Sequence, residues 1–343
     1  MTISGIFGNL LEKLAPDSLL SQALYPPPSK FEPERDIPDL QGKVVIVTGG
    51  TSGVGFATAK ALLLKNTKVY ITARSPVKAS TALAKLKEET GKEAFLLELD
   101  LADLNGVKRA AEEFLAKEEK LDILFNNAGV MVPPADQLTA QGYDLQLGTN
   151  TVGHYYFTMS LLPALRKATT MTGKKARVVN VSSSGHTYAP ADGIPWNALK
   201  GGPERDAKIK EWGTSGSTGT TAIWKLYGIS KLGNIWFTTL LQREHGDEVI
   251  SFSLNPGAIR TELQRHTTPF QQAVFKRILY PPSMGALTSL YVGTMPEAEN
   301  HPGAWFIPWA RFATPHGTLV GDAKLQAEFK NYIEKEIQAF ESS

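Results

Sequence analysis

The sequence predicts an α/β protein in which one doubly wound parallel sheet carries helices on both faces. Three observations lead there. Apolar β-branched runs alternate with amphipathic stretches from about residue 43 to residue 254. Several of these runs are apolar throughout, as in strands buried on both faces. The first, in KVVIVTGGTSGVG at 43–55, runs into a glycine-rich turn and then into a helical stretch.

The elements follow in order. Val44, Val45, Ile46 and Val47 form a strand at 44–47, and Gly49, Gly53 and Gly55, spaced GxxxGxG, turn the chain into a helix over 56–64. A strand, a glycine turn and a helix make a site for a dinucleotide phosphate. The turn amides and the helix N terminus face the anion, and glycine lets it come close. Further strands are expected at 68–72, 95–99, 121–125, 177–181 and 249–254, and helices at 78–89, 104–119, 145–165 and 223–241. Such alternation implies right-handed crossovers, with ligands beyond the carboxyl ends of the strands.

Length alone, 343 residues, suggests two domains. No linker interrupts the middle, so a single dinucleotide-binding catalytic domain over 42–343 is expected, preceded by an arm and linker at 1–41. Within it, 184–222 reads as an inserted substrate loop and 262–343 as a substrate-side extension. Lys plus Arg is 36 and Asp plus Glu is 34, a net charge of +2, which does not suggest a nucleic-acid surface. There is no cysteine, which excludes disulfides and a thiol nucleophile and fits a reducing, cytoplasmic setting. The six histidines lack metal-ligand spacing, so no metal site is expected. No apolar run is long enough to span a membrane. Ile6, Phe7, Leu10, Leu11 and Leu14 stand near helical spacing and read as an arm packed on the body, with membrane-surface contact the lesser reading. Pro26, Pro27 and Pro28 end it, and 29–36 reads as linker.

Tyr227 and Lys231, in YGISK, stand at i and i+4 on one helix face. A free phenol titrates near ~10, and a neighbouring cation lowers that value. A tuned tyrosine can exchange a proton with an alcohol or carbonyl oxygen. Ser182, Ser183 and Ser184 follow the fifth strand. A hydroxyl there can hydrogen-bond a substrate oxygen as charge grows on it.

With these residues in view, the chain resembles the short-chain dehydrogenase/reductases, and among them the retinol-dehydrogenase-like and secondary-metabolite reductases. Gly49, Gly53 and Gly55 match TGxxxGxG, and residues 126–129 match NNAG. Asn150, the serine run, Tyr227 and Lys231 match the Asn-Ser-Tyr-Lys tetrad, and Asn255, Pro256 and Gly257 with Thr261 match PGxxxT. The resemblance implies a Rossmann-type fold, a nicotinamide cofactor, a small-molecule carbonyl or alcohol substrate and pairing into homodimers. It makes Tyr227 the proton donor and acceptor. Lys231 lowers its pKa and holds the nicotinamide ribose. Ser183 orients the substrate oxygen, with Ser182 or Ser184 as alternatives, and Asn150 ties a relay water to Lys231. Ser52, Val54 and the three turn glycines hold the cofactor phosphates. Asp100 and Leu101 border the adenine. Asn126, Asn127 and Ala128 line the cleft, and Ile259 and Thr261 complete the set, with Thr261 on the carboxamide.

Charge argues for NADP(H). NAD-binding chains place an acid after the second strand, to bond the ribose 2′-hydroxyl. Here that strand ends Ala73, Arg74, Ser75, with no acid until Glu88. A guanidinium at Arg74 can pair a 2′-phosphate.

The chain departs from the shortest family members between Ser183 and Tyr227, which are 44 positions apart. That stretch carries Trp196, Trp212 and Trp224, and the tail adds Phe270, Tyr280, Trp305, Phe306, Trp309 and Phe312. These either wall a pocket for a bulky apolar or aromatic substrate or pack the extra chain onto the sheet. The expected activity is hydride transfer between a nicotinamide and a carbonyl or alcohol carbon. The alternatives are a non-catalytic NADP(H)-binding sensor or scaffold and, against the glycine spacing, a sugar-nucleotide epimerase.

Overall fold

The computed structural model describes residues 18, 21–22, 25–213, 221–260 and 279–343. Eight strands form one sheet: β1 (Val44–Val47), β2 (Lys68–Ala73), β3 (Phe95–Glu98), β4 (Ile123–Asn126), β5 (Ala176–Val181), β6 (Val249–Leu254), β7 (Trp305–Ile307) and β8 (Arg311–Ala313). Their order is β3-β2-β1-β4-β5-β6-β7-β8, all parallel except the last pair. The order reverses between β1 and β4, which opens a crevice at their carboxyl ends.

Among the described residues, the helices longer than a turn are α1 (Gly53–Leu63), α2 (Pro76–Thr90), α3 (Leu104–Lys117), α4 (Gly153–Thr172), α5 (Pro203–Trp212), α6 (Ala222–His245), α7 (Pro282–Thr294) and α8 (Ala323–Glu341). Strand residues alternate between two apolar layers. Val44, Ile46, Leu124 and Val178 face α3, α4, α6 and α8, whereas Val45, Val47, Phe125 and Val179 face α1, α2 and α7. Burial on both faces is why these strands read as unbroken apolar runs. No helix among the described residues is long and apolar enough to cross a membrane.

The sheet, its order of elements and the glycine turn agree with the sequence reading. Two elements differ from it, and one choice that the sequence left open narrows. The helix expected as one stretch over 145–165 is a short turn, Leu145–Leu147, then a π turn, Gly148–Val152, then α4. β7 and β8 were not expected, because two three-residue strands fall below the length at which alternation can be read. The aromatic residues of the insertion and tail mostly pack rather than wall a pocket. Trp305, Phe306 and Trp309 are buried in the sheet layers. Trp196 packs against Trp236, Phe329 and Tyr332. Tyr280 meets Trp309, Phe312 stacks on His301, and Trp212 lies between Lys208 and Lys225. Phe270 and the leucine-rich part of the arm lie outside the described residues.

The inserted stretch is pinned to the body by a buried ion pair. Arg205 of α5 donates to Asp144 Oδ2 at 2.8 Å and to the Ala135 carbonyl at 2.6 Å, and both charged side chains are 3% exposed. Burial raises the Asp144 carboxyl despite Arg205 and the two amides, of Gln146 and Leu147, that its other oxygen caps. Removing one partner strands the other as a buried charge. Arg205→Ala is therefore expected to lower stability by about 3–5 kcal/mol. The pair Asp144→Asn with Arg205→Met should lose less than the single variant, as measured by urea unfolding.

Candidate active site

A cleft of about 730 Å³ lies at the carboxyl ends of the central strands. One end is built by the turn after β1. The first bond within α1 runs from Phe56 N to Ser52 O at 3.1 Å, and Ser52 offers no side-chain cap. The amides of Gly53, Val54 and Gly55 precede that bond, and the three residues line the cleft, an arrangement that suits an anion. A Cβ on Gly55 would lie 2.5 Å from the Gly49 carbonyl, so only glycine lets turn and helix close so tightly. The residues present thus fit a dinucleotide pyrophosphate.

Gly49, Arg74, Asp100, Leu101, Asn127, Ala128 and Ile259 also line the cleft. Arg74 is exposed at the end of β2, and Ser75 beside it accepts from Lys78 N at 3.4 Å as the cap of α2. Thr261 lies outside the described residues. Asn126 corrects an expectation: it does not line the cleft. The two-residue alternation of β4 turns it into the sheet, where its Nδ2 donates to Thr158 Oγ1 and Asn180 Oδ1, each at 2.9 Å.

Ser183, Tyr227 and Lys231 meet at the other end of the cleft. Ser182 has other work: its Oγ donates to the Lys231 carbonyl at 2.6 Å. Ser183 and Ser184 both line the cleft where a 3₁₀ turn over Ser184–Tyr188 begins, and Ser183 Oγ accepts from Gly185 N at 3.0 Å as its cap. Ser183 is the serine whose hydroxyl interacts with the Tyr227 phenol. A Cβ on Gly228 would stand 2.3 Å from Ala189 N. Glycine there lets α6 lie directly on the 3₁₀ turn, so Tyr227 and Ser183 share one wall.

Lys231 Nζ donates to the Val181 carbonyl at 3.0 Å and sits 5.9 Å from the Tyr227 ring centre. Burial pushes its pKa down to about 8, which still leaves it mostly cationic at neutral pH. The phenol differs from the sequence expectation of a lowered value. Burial pushes Tyr227 up to about 12; the Ser183 hydrogen bond opposes this and Tyr188 adds to it. At neutral pH the phenol is protonated.

Asn150 is fully buried in the π turn. Its Oδ1 accepts from Val130 N at 2.8 Å, and its Nδ2 donates to Val130 O and to Ser230 Oγ, each at 3.0 Å. Its side chain therefore holds the loop 127–130. Trp224 is the one tryptophan of the insertion on the cleft wall, edge-on to Tyr227 at 6.1 Å and to Tyr188 at 5.3 Å. Sequence reasoning gave no role to Tyr188, Gly228, Thr48 or His154. Gly228 and Thr48 were within reach, since Thr48 is the first residue of TGxxxGxG and Gly228 the second of YGISK.

The short chain dehydrogenase family profile matches residues 43–205. A short-chain dehydrogenase/reductase of Armillaria gallica is 53% identical over 295 residues, 86% of this chain and 89% of that protein. A second from the same fungus is 47% identical over 324 residues, covering 94% and 98%. The crystal structure of a Mycobacterium paratuberculosis protein superposes with a TM-score of 0.63 at 27% identity, covering 90% of this chain and 98% of its own. The chain belongs to the short-chain dehydrogenase/reductase family, oxidoreductases that bind a nicotinamide cofactor and act on small molecules.

Proposed function

We propose that the protein interconverts a bulky apolar or aromatic carbonyl and its alcohol, using NADP(H). The observation that carries this is the meeting of Ser183, Tyr227 and Lys231 at one end of a cleft whose other end is an uncapped helix N terminus. When bound, the nicotinamide supplies or accepts the hydride. The Ser183 hydroxyl orients the substrate oxygen. Tyr227 donates its phenolic proton to that oxygen in reduction and takes it back in oxidation. The Lys231 ammonium stabilises the phenolate left behind. Trp224 and Tyr188, packed edge to face, give the substrate end an aromatic wall, which supports a bulky or aromatic substrate. The NADP(H) preference is supported by Arg74, an exposed cation at the end of β2, with Ser75 next to it and no acid in the adjoining turn.

An NADPH-oxidation screen with aromatic aldehydes, ketones and quinones tests this reading. NADPH binding without turnover on the whole panel would favour a sensor or scaffold instead. Tyr227→Phe is expected to cut turnover by about 10²–10⁴-fold, with NADPH affinity, read by fluorescence titration, close to the parent's. Turnover at the parent's rate would remove Tyr227 from the chemistry. Arg74→Ala should weaken NADPH binding by about tenfold to a hundredfold, the range for losing a charge-assisted bond, and leave NADH binding unchanged. A parent enzyme that prefers NADH sinks the assignment. Trp224→Ala should raise KM for a large aromatic substrate more than for a small one, and equal effects would remove Trp224 from substrate binding.

A further inference from the structure

His154 stands at the start of α4, 1% exposed, and does not line the cleft. Its ring joins two distant parts of the chain. Nδ1 is 3.0 Å from the main-chain oxygen of Asn150, and Nε2 is 2.9 Å from Thr48 Oγ1 at the end of β1. The same hydroxyl oxygen accepts the amides of Asn127 at 2.8 Å and Ala128 at 2.9 Å.

A hydroxyl has two lone pairs and one hydrogen. The two amides occupy both lone pairs of Thr48. Its hydrogen then has two neighbours, His154 Nε2 and the Phe125 carbonyl at 3.2 Å. A proton on Nε2 would face an oxygen with no lone pair left. Nε2 is therefore the bare nitrogen and takes the Thr48 hydrogen at the shorter distance. Nδ1 carries the ring proton and donates it to Asn150 O. Burial favours this neutral ring, pushing its pKa down to about 4; the Asn150 carbonyl opposes this and Lys231 adds to it.

The π turn and the start of α4 thus each grip the loop 127–130. Asn150 holds Val130 by its amide and its carbonyl. His154 holds Asn127 and Ala128 by way of Thr48. We infer that His154 is a positioning residue for the dinucleotide: through the Thr48 hydroxyl it fixes the loop 127–130 that lines the cleft, and through Nδ1 it fixes the π turn that carries Asn150. It contacts neither substrate nor cofactor. The inference rests on a nicotinamide dinucleotide occupying this cleft and is independent of the substrate.

His154→Phe keeps a flat ring but makes neither bond, whereas His154→Gln can offer an amide oxygen to Thr48. His154→Phe is expected to weaken NADPH binding about tenfold, as for an unsatisfied buried polar group. Deuterium uptake by the peptide 126–130 of the dinucleotide-free protein should quicken. His154→Gln should recover most of both effects. Thr48→Val with His154→Phe should bind NADPH no worse than Thr48→Val alone, because the histidine acts through the hydroxyl. Equal losses in the Phe and Gln variants, or losses of Thr48→Val and His154→Phe that add, overturn the inference. So does a His154→Phe protein within about twofold of the parent on both readouts. Should His154→Phe fail to fold, His154→Leu, which also makes neither bond, takes its place in the same comparisons, and losses that add to those of Thr48→Val again overturn it. A parent that binds no NADPH would count against the dinucleotide reading, while the exchange measurement still decides the role of His154.

Discussion

A lysine ammonium 5% exposed to solvent must be met by oxygen, since an uncompensated buried charge costs several kcal/mol. Here the oxygen is the Val181 carbonyl, the last of β5, which also accepts from Asn234 Nδ2 at 3.2 Å. One residue on, Ser182 returns a bond to the Lys231 carbonyl. These three bonds fix where α6 lies along β5. Tyr227 is one helical turn before Lys231, and Ser183 is one residue after Ser182, so fixing the first pair brings the second together. The chemistry of the cleft is arranged by groups that meet a requirement of burial.

Much of this was legible because it is local. Four apolar β-branched residues before a glycine turn define β1 and the start of α1. The i, i+4 spacing of Tyr227 and Lys231 puts them on one face whatever surrounds the helix. The tuning of the phenol was not legible, because it depends on burial: the lysine is in place, yet desolvation dominates and Tyr227 stands above its usual value. Asn126 shows a different limit. Adjacent asparagines on a strand face opposite ways, and sequence alone does not say which of Asn126 and Asn127 faces the ligand. His154 shows a third: its partner Thr48 is 106 residues away, and its own neighbours are apolar or aromatic.

The aromatic residues make the same point. Composition favours a pocket and a packing role equally, because a ring contributes apolar area to either. Position in the fold separates them. Trp305, Phe306 and Trp309 extend or adjoin the sheet and are consumed by its layers, as Trp196 is by the face under α8. Trp224 lies one helical turn before Tyr227, so the helix that carries the phenol carries this ring to the same wall.

The π turn at Gly148–Val152 bears on how the gene can drift. Such a turn holds one residue more than an α-helical path. Substitution inside it leaves the count unchanged. Loss of a single codon here would restore the narrower path and leave everything downstream in phase, because the wide turn is what absorbs the extra residue. The same loss inside α4, with no wide turn to absorb it, would swing the residues beyond it by about 100° around the axis and turn their apolar side off the sheet. A one-residue change of length is therefore absorbed more easily at this turn than along the helix that follows it.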